Sequence, residues 1–270
     1  MFTLTGFGDE ISPDLNEQLD LLQSEGINHL DLRGVEGKNV LDLSDAEAER
    51  VRSELERRGC AVSAIASPIG KIQIDEPFAP HLERFRRALD LAEFFHAPFI
   101  RVFSFYVPAG QATRYRAAVM ERMLALAEAA DGRPVTIGHE NEHAIYGDIP
   151  ERCLDIIRTV NRPQWCTIFD PANYVLDGVR PYTDGYPLLV DSIAYLHIKD
   201  AVAVTRKIVP AGEGDGQVRE VLSDLKRRGF DGFLSLEPHL SHAGSSGGRT
   251  APDLFRGAIR ALKAIVETLP

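Results

Sequence analysis

The chain has 270 residues, a formal net charge of −10 and a sequence pI of about 5.3. This acidic balance argues against nucleic acid or an anionic membrane surface as a partner, because both require a basic face. The three cysteines, Cys60, Cys153 and Cys166, are widely separated and form no C-x-x-C pair, so we expect reduced thiols. With no basic leader and no apolar run long enough to span a bilayer, the sequence predicts a cytoplasmic protein without a membrane partner.

Short apolar runs, rich in β-branched and aromatic residues and bounded by turn residues, predict strands. There are eight of these runs. In chain order they cover residues 2–8, 27–33, 60–67, 98–105, 134–140, 165–170, 193–199 and 232–238.

Longer segments with helical periodicity separate the strands. The first has Ser12 as its predicted N-cap, Pro13 at its first helical position and Gly26 as its stop. One weak signal, near Pro187–Asp191, predicts a short helix in the connection after the sixth strand. The other predicted helices lie within residues 44–59, 81–95, 111–130, 149–160, 218–229 and 252–269.

The alternation of strands and helices predicts an α/β fold. Eight β-α units of about 34 residues each suit a (β/α)8 TIM barrel that forms a single domain over residues 1–270. A doubly wound parallel sheet is the structural alternative. The chain has no nucleotide-type glycine fingerprint after its strands, and this favours the closed barrel.

One short motif has the spelling of a zinc protease signature. Residues 139–143 read H-E-N-E-H, and in H-E-x-x-H enzymes the two histidines bind zinc from one face of a helix. Here Gly138 precedes the motif and the segment up to Glu140 is a predicted strand, so His139 and His143 are not one helical turn apart. We interpret the match as a coincidence.

The ends of the last four predicted strands carry the groups that a metal ion prefers. Active sites of (β/α)8 barrels lie at the carboxyl ends of the strands, where this chain has Glu140, Asp170, His197 and Glu237 on the fifth to eighth strands. Three carboxylates and one imidazole suit Mn²⁺, Mg²⁺, Co²⁺ or Zn²⁺. Taken singly, each residue also has a structural interpretation, as a salt-bridged carboxylate, a turn former, a core histidine or a loop cap.

The motifs GHEN, FDPANY, LHIKD and SLEPH, in this order, carry a family resemblance. The chain resembles the sugar phosphate isomerase/epimerase family, which has a xylose isomerase-like barrel, and is similar to its ketose 3-epimerases. The resemblance implies one divalent metal ion bound by Glu140, Asp170, His197 and Glu237. It also implies that Glu140 and Glu237 are the catalytic proton-transfer groups.

The sequence departs from the family pattern in two places. Many relatives have a histidine three residues after the aspartate of the sixth strand, where this chain has Asn173. The AP endonuclease branch uses further histidines on other strands, and the ends of the third and fourth strands have none here. Together with the acidic charge, this argues against a DNA repair function.

Two further candidates lie shortly after the predicted metal histidine. Lys199 lies two residues after His197 on the same face of the strand, within predicted reach of a substrate oxygen. Asp200 is predicted to hydrogen-bond a metal-ligating group. The alternative is a Lys199–Asp200 pair at the surface.

Three further residues are predicted to line the substrate pocket: Arg101, Asn173 and His239. For Arg101 a structural ion pair with an acid from another strand is the alternative, and for His239 a loop position. Asp9, Glu10 and Asp31 are additional candidates for the rim of the barrel.

Glycine-rich loops follow the seventh and eighth strands, at residues 210–216 and 242–250. Such loops often form phosphate sites in barrels, but neither matches the G-x-x-x-x-G-K-[ST] pattern, and a mobile lid over the pocket is the plainer interpretation. Because Glu213 would repel a phosphate, the sequence favours a non-phosphorylated sugar or polyol.

The combined prediction is a metal-dependent aldose–ketose isomerase or ketose epimerase that acts on a small-molecule sugar or polyol through an ene-diolate. A lyase of the inosose dehydratase type would use the same metal site, and a non-catalytic sugar-binding protein is the third alternative. The sequence leaves open the identity of the sugar, the native metal and the oligomeric state, a homo-oligomer included.

Overall fold

The computed structural model describes residues 2–242 and 248–270. Eight parallel strands form one sheet: β1 Thr3–Gly6, β2 His29–Leu32, β3 Ala61–Ile65, β4 Phe99–Val102, β5 Thr136–Glu140, β6 Trp165–Phe169, β7 Ile193–Ile198 and β8 Phe233–Leu236. Their order in the sheet is β1-β8-β7-β6-β5-β4-β3-β2. A parallel bridge between Phe7 and Asp31 brings β1 beside β2. The sheet is therefore a nearly closed barrel, and the predicted (β/α)8 fold is confirmed.

Helices surround the barrel. They are α1 Leu15–Ser24, α2 Asp45–Arg58, α3 Phe78–Phe95, α4 Ala112–Ala130, α5 Pro150–Val160, α6 Pro171–Leu176, α7 Tyr186–Leu189, α8 Val218–Arg227 and α9 Pro252–Glu267. Among the helices of the described residues, none has an apolar stretch that could span a lipid bilayer.

Local chemistry explains where the helices begin. Ser44 caps α2 and forms a reciprocal capping box with Glu47, as its position before an acidic first turn indicates. The predicted cap of α1 was wrong. Helix α1 begins at Leu15, later than predicted, so Pro13 precedes it and Asp14, not Ser12, accepts hydrogen bonds from the backbone N–H groups of Asn16 and Glu17.

The connections contain elements that the sequence did not indicate. The short helix α6 begins immediately after Asp170. Two small hairpins extend the loops after β2 and β7. The segment near Pro187–Asp191, which was predicted as a short helix, contains α7, and this helix begins one residue earlier than predicted. The hairpins pair Gly34–Val35 with Lys38–Asn39, and Asp200–Val202 with Lys207–Val209. Of the predicted loop 242–250, residues 243–247 lie outside the described part of the chain.

The hydrophobic core fills the layer between the sheet and the helices, where one apolar face of each helix packs on the outside of the barrel. The inside of the barrel has a polar layer instead. Asp31 accepts hydrogen bonds there from the hydroxyl groups of Tyr195, at 2.6 Å, and Ser235. Thr5 and Ser63 form a hydroxyl pair at 2.6 Å in the same region. Burial raises the pKa of Asp31.

Candidate metal centre

Four predicted ligand residues converge at the carboxyl end of the barrel. Glu140 is the last residue of β5, His197 is the fifth residue of β7, and Asp170 and Glu237 directly follow β6 and β8. All four side chains are buried, and each has a donor atom within 4.8 Å of the donor atoms of the other three. Strands that are adjacent in the sheet thus bring together residues nearly 100 positions apart in the chain (140 to 237).

The donor atoms fit a divalent cation. His197 Nδ1 lies 2.9 Å from Glu140 Oε1 and 3.5 Å from Glu237 Oε2. His197 Nδ1 and Asp170 Oδ2 are buried, yet neither makes a hydrogen bond of regular geometry with any residue that the structure describes. Buried carboxylate oxygens and imidazole nitrogens that lack such a hydrogen bond are suitable ligands for Mn²⁺, Mg²⁺, Co²⁺ or Zn²⁺.

Three buried cations surround this cluster of carboxylates. Arg101 Nη1 lies 3.2 Å from Glu140 Oε2 and 3.3 Å from Glu237 Oε1. Lys199 Nζ lies 2.9 Å from Asp170 Oδ2 and 3.3 Å from Glu237 Oε2. Arg33, the third cation, has Nη1 at 3.0 Å from Glu237 Oε1. Without these cations the burial of so many carboxylates would be very costly.

The charges shift the pKa values of the cluster in opposite directions. Burial alone would raise the pKa of Glu140, but His197 and Arg101 outweigh it and lower that pKa to about 2. Burial would likewise lower the pKa of His197, but Glu140 and Glu237 raise it to about 10. In the metal-free protein a proton on His197 therefore supplies part of the positive charge that the carboxylates require. Burial raises the pKa of Asp170 to about 6, with Lys199 opposing the rise.

Two asparagines fix the ends of β5 and β6 relative to each other. Asn141 accepts a hydrogen bond from the backbone N–H of Asp170 at 2.9 Å and donates one to its carbonyl, also at 2.9 Å. Asn173 donates to the carbonyl of Asn141 at 2.9 Å, and its amide nitrogen lies 3.5 Å from Glu140 Oε1. Asn173, predicted to bind substrate, is thus buried beside a candidate ligand. Asp170 also caps α6, because its Oδ1 accepts from the N–H of Asn173 at 3.0 Å.

Arg33 is a residue of this site that the sequence analysis missed. Its guanidinium also pairs with Asp9 Oδ2 at 2.8 Å, lies 3.8 Å from Glu10 Oε1 and donates to the carbonyl of Gly248 at 3.3 Å. The signal available in the sequence was its position, since Arg33 follows the second strand at the same rim as the metal set. This position alone was not enough, because an arginine at the end of a strand can belong to a site or to the surface.

His239 lies at the edge of the cluster. Its Nε2 is 3.2 Å from Glu10 Oε1 and 3.5 Å from Glu237 Oε1. The backbone N–H of His239 donates to Glu10 Oε2 at 2.9 Å, and the residue has a left-handed backbone with φ of 47°. The predicted pocket residue therefore contacts a candidate ligand and one of the additional rim candidates.

Asp200 has a different position from the one predicted. Its carboxylate does not bond a metal-ligating group among the described residues; it accepts four backbone N–H hydrogen bonds, from Ala201, Gly212, Gly214 and Gly216. The sequence predicts it beside the ligands because it follows the strand of the metal histidine, but successive residues of an extended chain point to opposite sides, and Asp200 points away from Lys199.

The H-E-x-x-H spelling is a coincidence in the structure as well. His139 belongs to β5 and is fully buried, whereas His143 is exposed and pairs with Asp177 at 2.5 Å. The two imidazoles are not on one helix.

The fold and the site define a (β/α)8 barrel with a candidate metal centre at the carboxyl ends of β5 to β8. A profile of the xylose isomerase-like TIM barrel family matches residues 19–265, and the chain belongs to that family. No curated protein sequence matches the chain.

Solved structures with the same fold include enzymes and a metal-bound protein. A D-tagatose 3-epimerase-like protein has a TM-score of 0.77 and 17% sequence identity, over 98% of this chain and 97% of that chain. The IOLI protein with a bound zinc atom has a TM-score of 0.77 and 16% identity, over 100% of this chain and 99% of that chain. A probable 3-DHS dehydratase involved in petrobactin synthesis, from Bacillus anthracis, has a TM-score of 0.75 and 17% identity, over 97% of this chain and 98% of that chain. At these identities the similarity is one of fold.

Proposed function

We propose that this protein is a divalent-metal-dependent sugar isomerase or ketose epimerase whose reaction passes through an ene-diolate. One observation carries the proposal: two buried glutamates, on β5 and β8, converge with Asp170 and His197 within 4.8 Å. Carboxylates in that position serve both as metal ligands and as proton-transfer groups. The similarity in fold to a D-tagatose 3-epimerase-like protein supports this reading.

Glu140, Asp170, His197 and Glu237 would hold one ion of Mn²⁺, Mg²⁺, Co²⁺ or Zn²⁺. When bound, the ion neutralises the negative charge that develops on the substrate oxygens as a proton leaves carbon. The zinc atom bound by the similarly folded IOLI protein supports a divalent ion in this chain.

The residues of the chain supply the rest of the chemistry. Glu140 and Glu237 come from β5 and β8, which are separated by two strands, so their carboxylates approach a bound sugar from different sides. One removes the proton from the carbon next to the carbonyl, and the other returns a proton to the same or the neighbouring carbon. Lys199 and Arg101, only 3% and 5% exposed, keep positive charge beside the reacting oxygens and exclude water.

A dehydratase of the inosose type is the second candidate, and an asymmetry of the site favours it. Glu237 contacts three permanent cations, Arg33, Arg101 and Lys199, whereas Glu140 contacts only Arg101 among them. In a two-base epimerase each of the two carboxylates must accept a proton in one direction of the reaction, and the cations around Glu237 make it the weaker base. Elimination of water requires one base and donors for the departing hydroxyl group. A non-catalytic sugar-binding protein has less support, because all four candidate ligands are in place.

Solvent deuterium tests the proposal. The chelated protein is reloaded with Mn²⁺ and incubated in D₂O with ketoses, inososes and hydroxypyruvate, and the metal is removed before NMR analysis. We expect deuterium at one carbon next to a carbonyl for an isomerase or epimerase. A conjugated product with ultraviolet absorbance indicates the dehydratase. Deuterium incorporation that persists in the chelated protein would contradict the metal-dependent mechanism.

A further inference from the structure

The loop of residues 210–216, called here the glycine loop, is folded around one carboxylate of the chain itself. Asp200 Oδ1 accepts hydrogen bonds from the N–H groups of Ala201 and Gly216, each at 2.8 Å. Asp200 Oδ2 accepts from the N–H groups of Gly212 at 2.9 Å and Gly214 at 3.1 Å. The side chain is fully buried, and backbone donors arranged in this way form an anion nest.

The glycines leave no room for another side chain. A Cβ at Gly214 would lie 2.5 Å from both Asp200 Oδ1 and the carbonyl oxygen of Ala201, and one at Gly216 would lie 2.6 Å from Asp200 Oδ1. The Asp200 carboxylate can therefore occupy this position only if residues 214 and 216 are glycines. The nest cannot hold a substrate phosphate, because the carboxylate already occupies it.

This nest fixes both partners of one ion pair at the candidate metal centre. Lys199 lies between Ile198, the last residue of β7, and Asp200, and its Nζ is 2.9 Å from Asp170 Oδ2. On the other side, a Cβ at Gly216 would lie 3.3 Å from Pro171, the residue that follows Asp170. The glycine loop thus lies against the side chain of Pro171, next to Asp170, and its hydrogen bonds to Asp200 hold the backbone that follows β7 and carries Lys199.

We propose that Asp200 is a positioning residue that acts through Lys199: by filling the nest, it holds the ammonium group against Asp170 and Glu237. The kinetic part of this proposal rests on the proposed function. The structural part, that the nest holds a carboxylate, does not rest on it. Removal of the Asp200 side chain would free the backbone N–H groups of the nest to bind a small carboxylate anion.

The first experiment measures the nest without any substrate. Formate carries the two oxygens that Asp200→Ala removes. We expect formate to raise the melting temperature of Asp200→Ala by about 2 °C or more, relative to chloride at equal ionic strength, and to leave wild type unchanged. Asp215→Ala is the matched control, since that carboxylate of the same loop is exposed and accepts one hydrogen bond, from the N–H of Ala203 at 2.8 Å. We expect no formate response from it.

If Asp200→Ala folds but formate does not raise its melting temperature, the nest does not bind a carboxylate as proposed. An Asp200→Ala protein that folds only with formate would support the nest. If Asp200→Ala folds under neither condition, Asp200→Asn decides the question. It retains the size of the side chain but turns an NH₂ group toward backbone donors, so we expect it to fold with a lower melting temperature than wild type. A melting temperature equal to that of wild type would contradict the nest.

The second experiment tests whether Asp200 acts through Lys199. We expect Asp200→Asn to lower kcat/KM at least about tenfold with metal content unchanged. Adding Asp200→Asn to Lys199→Ala should lower kcat/KM no further, because the group being positioned is already absent. Additive losses, or wild-type kinetics in Asp200→Asn, would contradict the positioning role. If no substrate is found, the formate experiment still decides the structural part.

Discussion

At the scale of single residues, the two glutamates of the candidate centre are the most informative positions. Glu140→Gln and Glu237→Gln each keep an oxygen that can ligate a cation but cannot take a proton. We expect both variants to retain measurable metal and to lose turnover by about a hundredfold or more. The measurement is exchange of substrate protons with D₂O, which separates proton removal from product formation.

The comparison between the two variants distinguishes the candidate reactions. In an epimerase, either substitution should abolish exchange from one epimer and leave it from the other. In a dehydratase, exchange should depend mainly on Glu140, because Glu237 is surrounded by Arg33, Arg101 and Lys199. Exchange at the wild-type rate in both variants would be incompatible with either mechanism.

Lys199 is expected to take part in substrate binding or turnover and not to ligate the metal. An ammonium group cannot ligate a cation, and its removal leaves Asp170 and Glu237 with more negative charge for the ion. We therefore expect Lys199→Ala to raise KM or lower kcat while its metal affinity is equal to or higher than that of wild type, as measured by calorimetric titration. Lys207→Ala, at an exposed position in the hairpin after β7, is the control. A loss of metal affinity in Lys199→Ala would assign the residue to ion binding.

At the scale of elements, helix α3 contains a histidine that should make stability depend on pH. His81 is buried, and its Nε2 accepts a hydrogen bond from the N–H of Gly70 at 2.7 Å. Burial lowers the pKa of His81 from 6.5 to about 4. The unfolded chain therefore binds the proton more readily, so this contribution to stability is present above pH 6.5 and is lost as pH falls toward about 4.

Urea unfolding across that range tests the assignment. We expect the free energy of unfolding to fall with pH, and His81→Gln to remove a part of that fall on the order of 1 kcal/mol. Buried His139, whose pKa burial lowers to about 4, accounts for a further part and remains in the variant. An unchanged pH dependence in His81→Gln would show that His81 does not titrate in this way.

The elements themselves were largely predictable, because strands and helices follow the period of the apolar residues. The strand ends that carry Glu140, Asp170, His197 and Glu237 were predictable for the same reason. Other features depend on chain segments that are distant in sequence. Arg33 reaches Glu237 only because the barrel closes and brings β2 and β8 to either side of β1. The Asp200 nest requires donors 12 to 16 residues away, in a loop with no periodicity.

At the scale of the whole molecule, metal binding should stabilise the fold. A ligand that binds only the folded state raises the melting temperature, and the four candidate ligands come together only when β5 to β8 are assembled. We expect metal analysis of the reloaded protein to find about one equivalent per chain, and Mn²⁺ to raise its melting temperature by several degrees. His197→Ala should lose most of both effects. An unchanged stoichiometry in that variant would remove His197 from the ligand set.

The closure of the barrel has a consequence for local opening. In the part of the chain that the structure describes, β1 and β2 are joined by one bridge, between Phe7 and Asp31, whereas each other pair of neighbouring strands shares two or more paired positions. All four candidate ligands lie on the opposite run of strands, β5 to β8. A bound ion would therefore reduce local opening in β5 to β8. The seam between β1 and β2 would remain the place where the barrel opens most readily. Amide hydrogen exchange should slow on metal addition in β5 to β8, and change least at this seam.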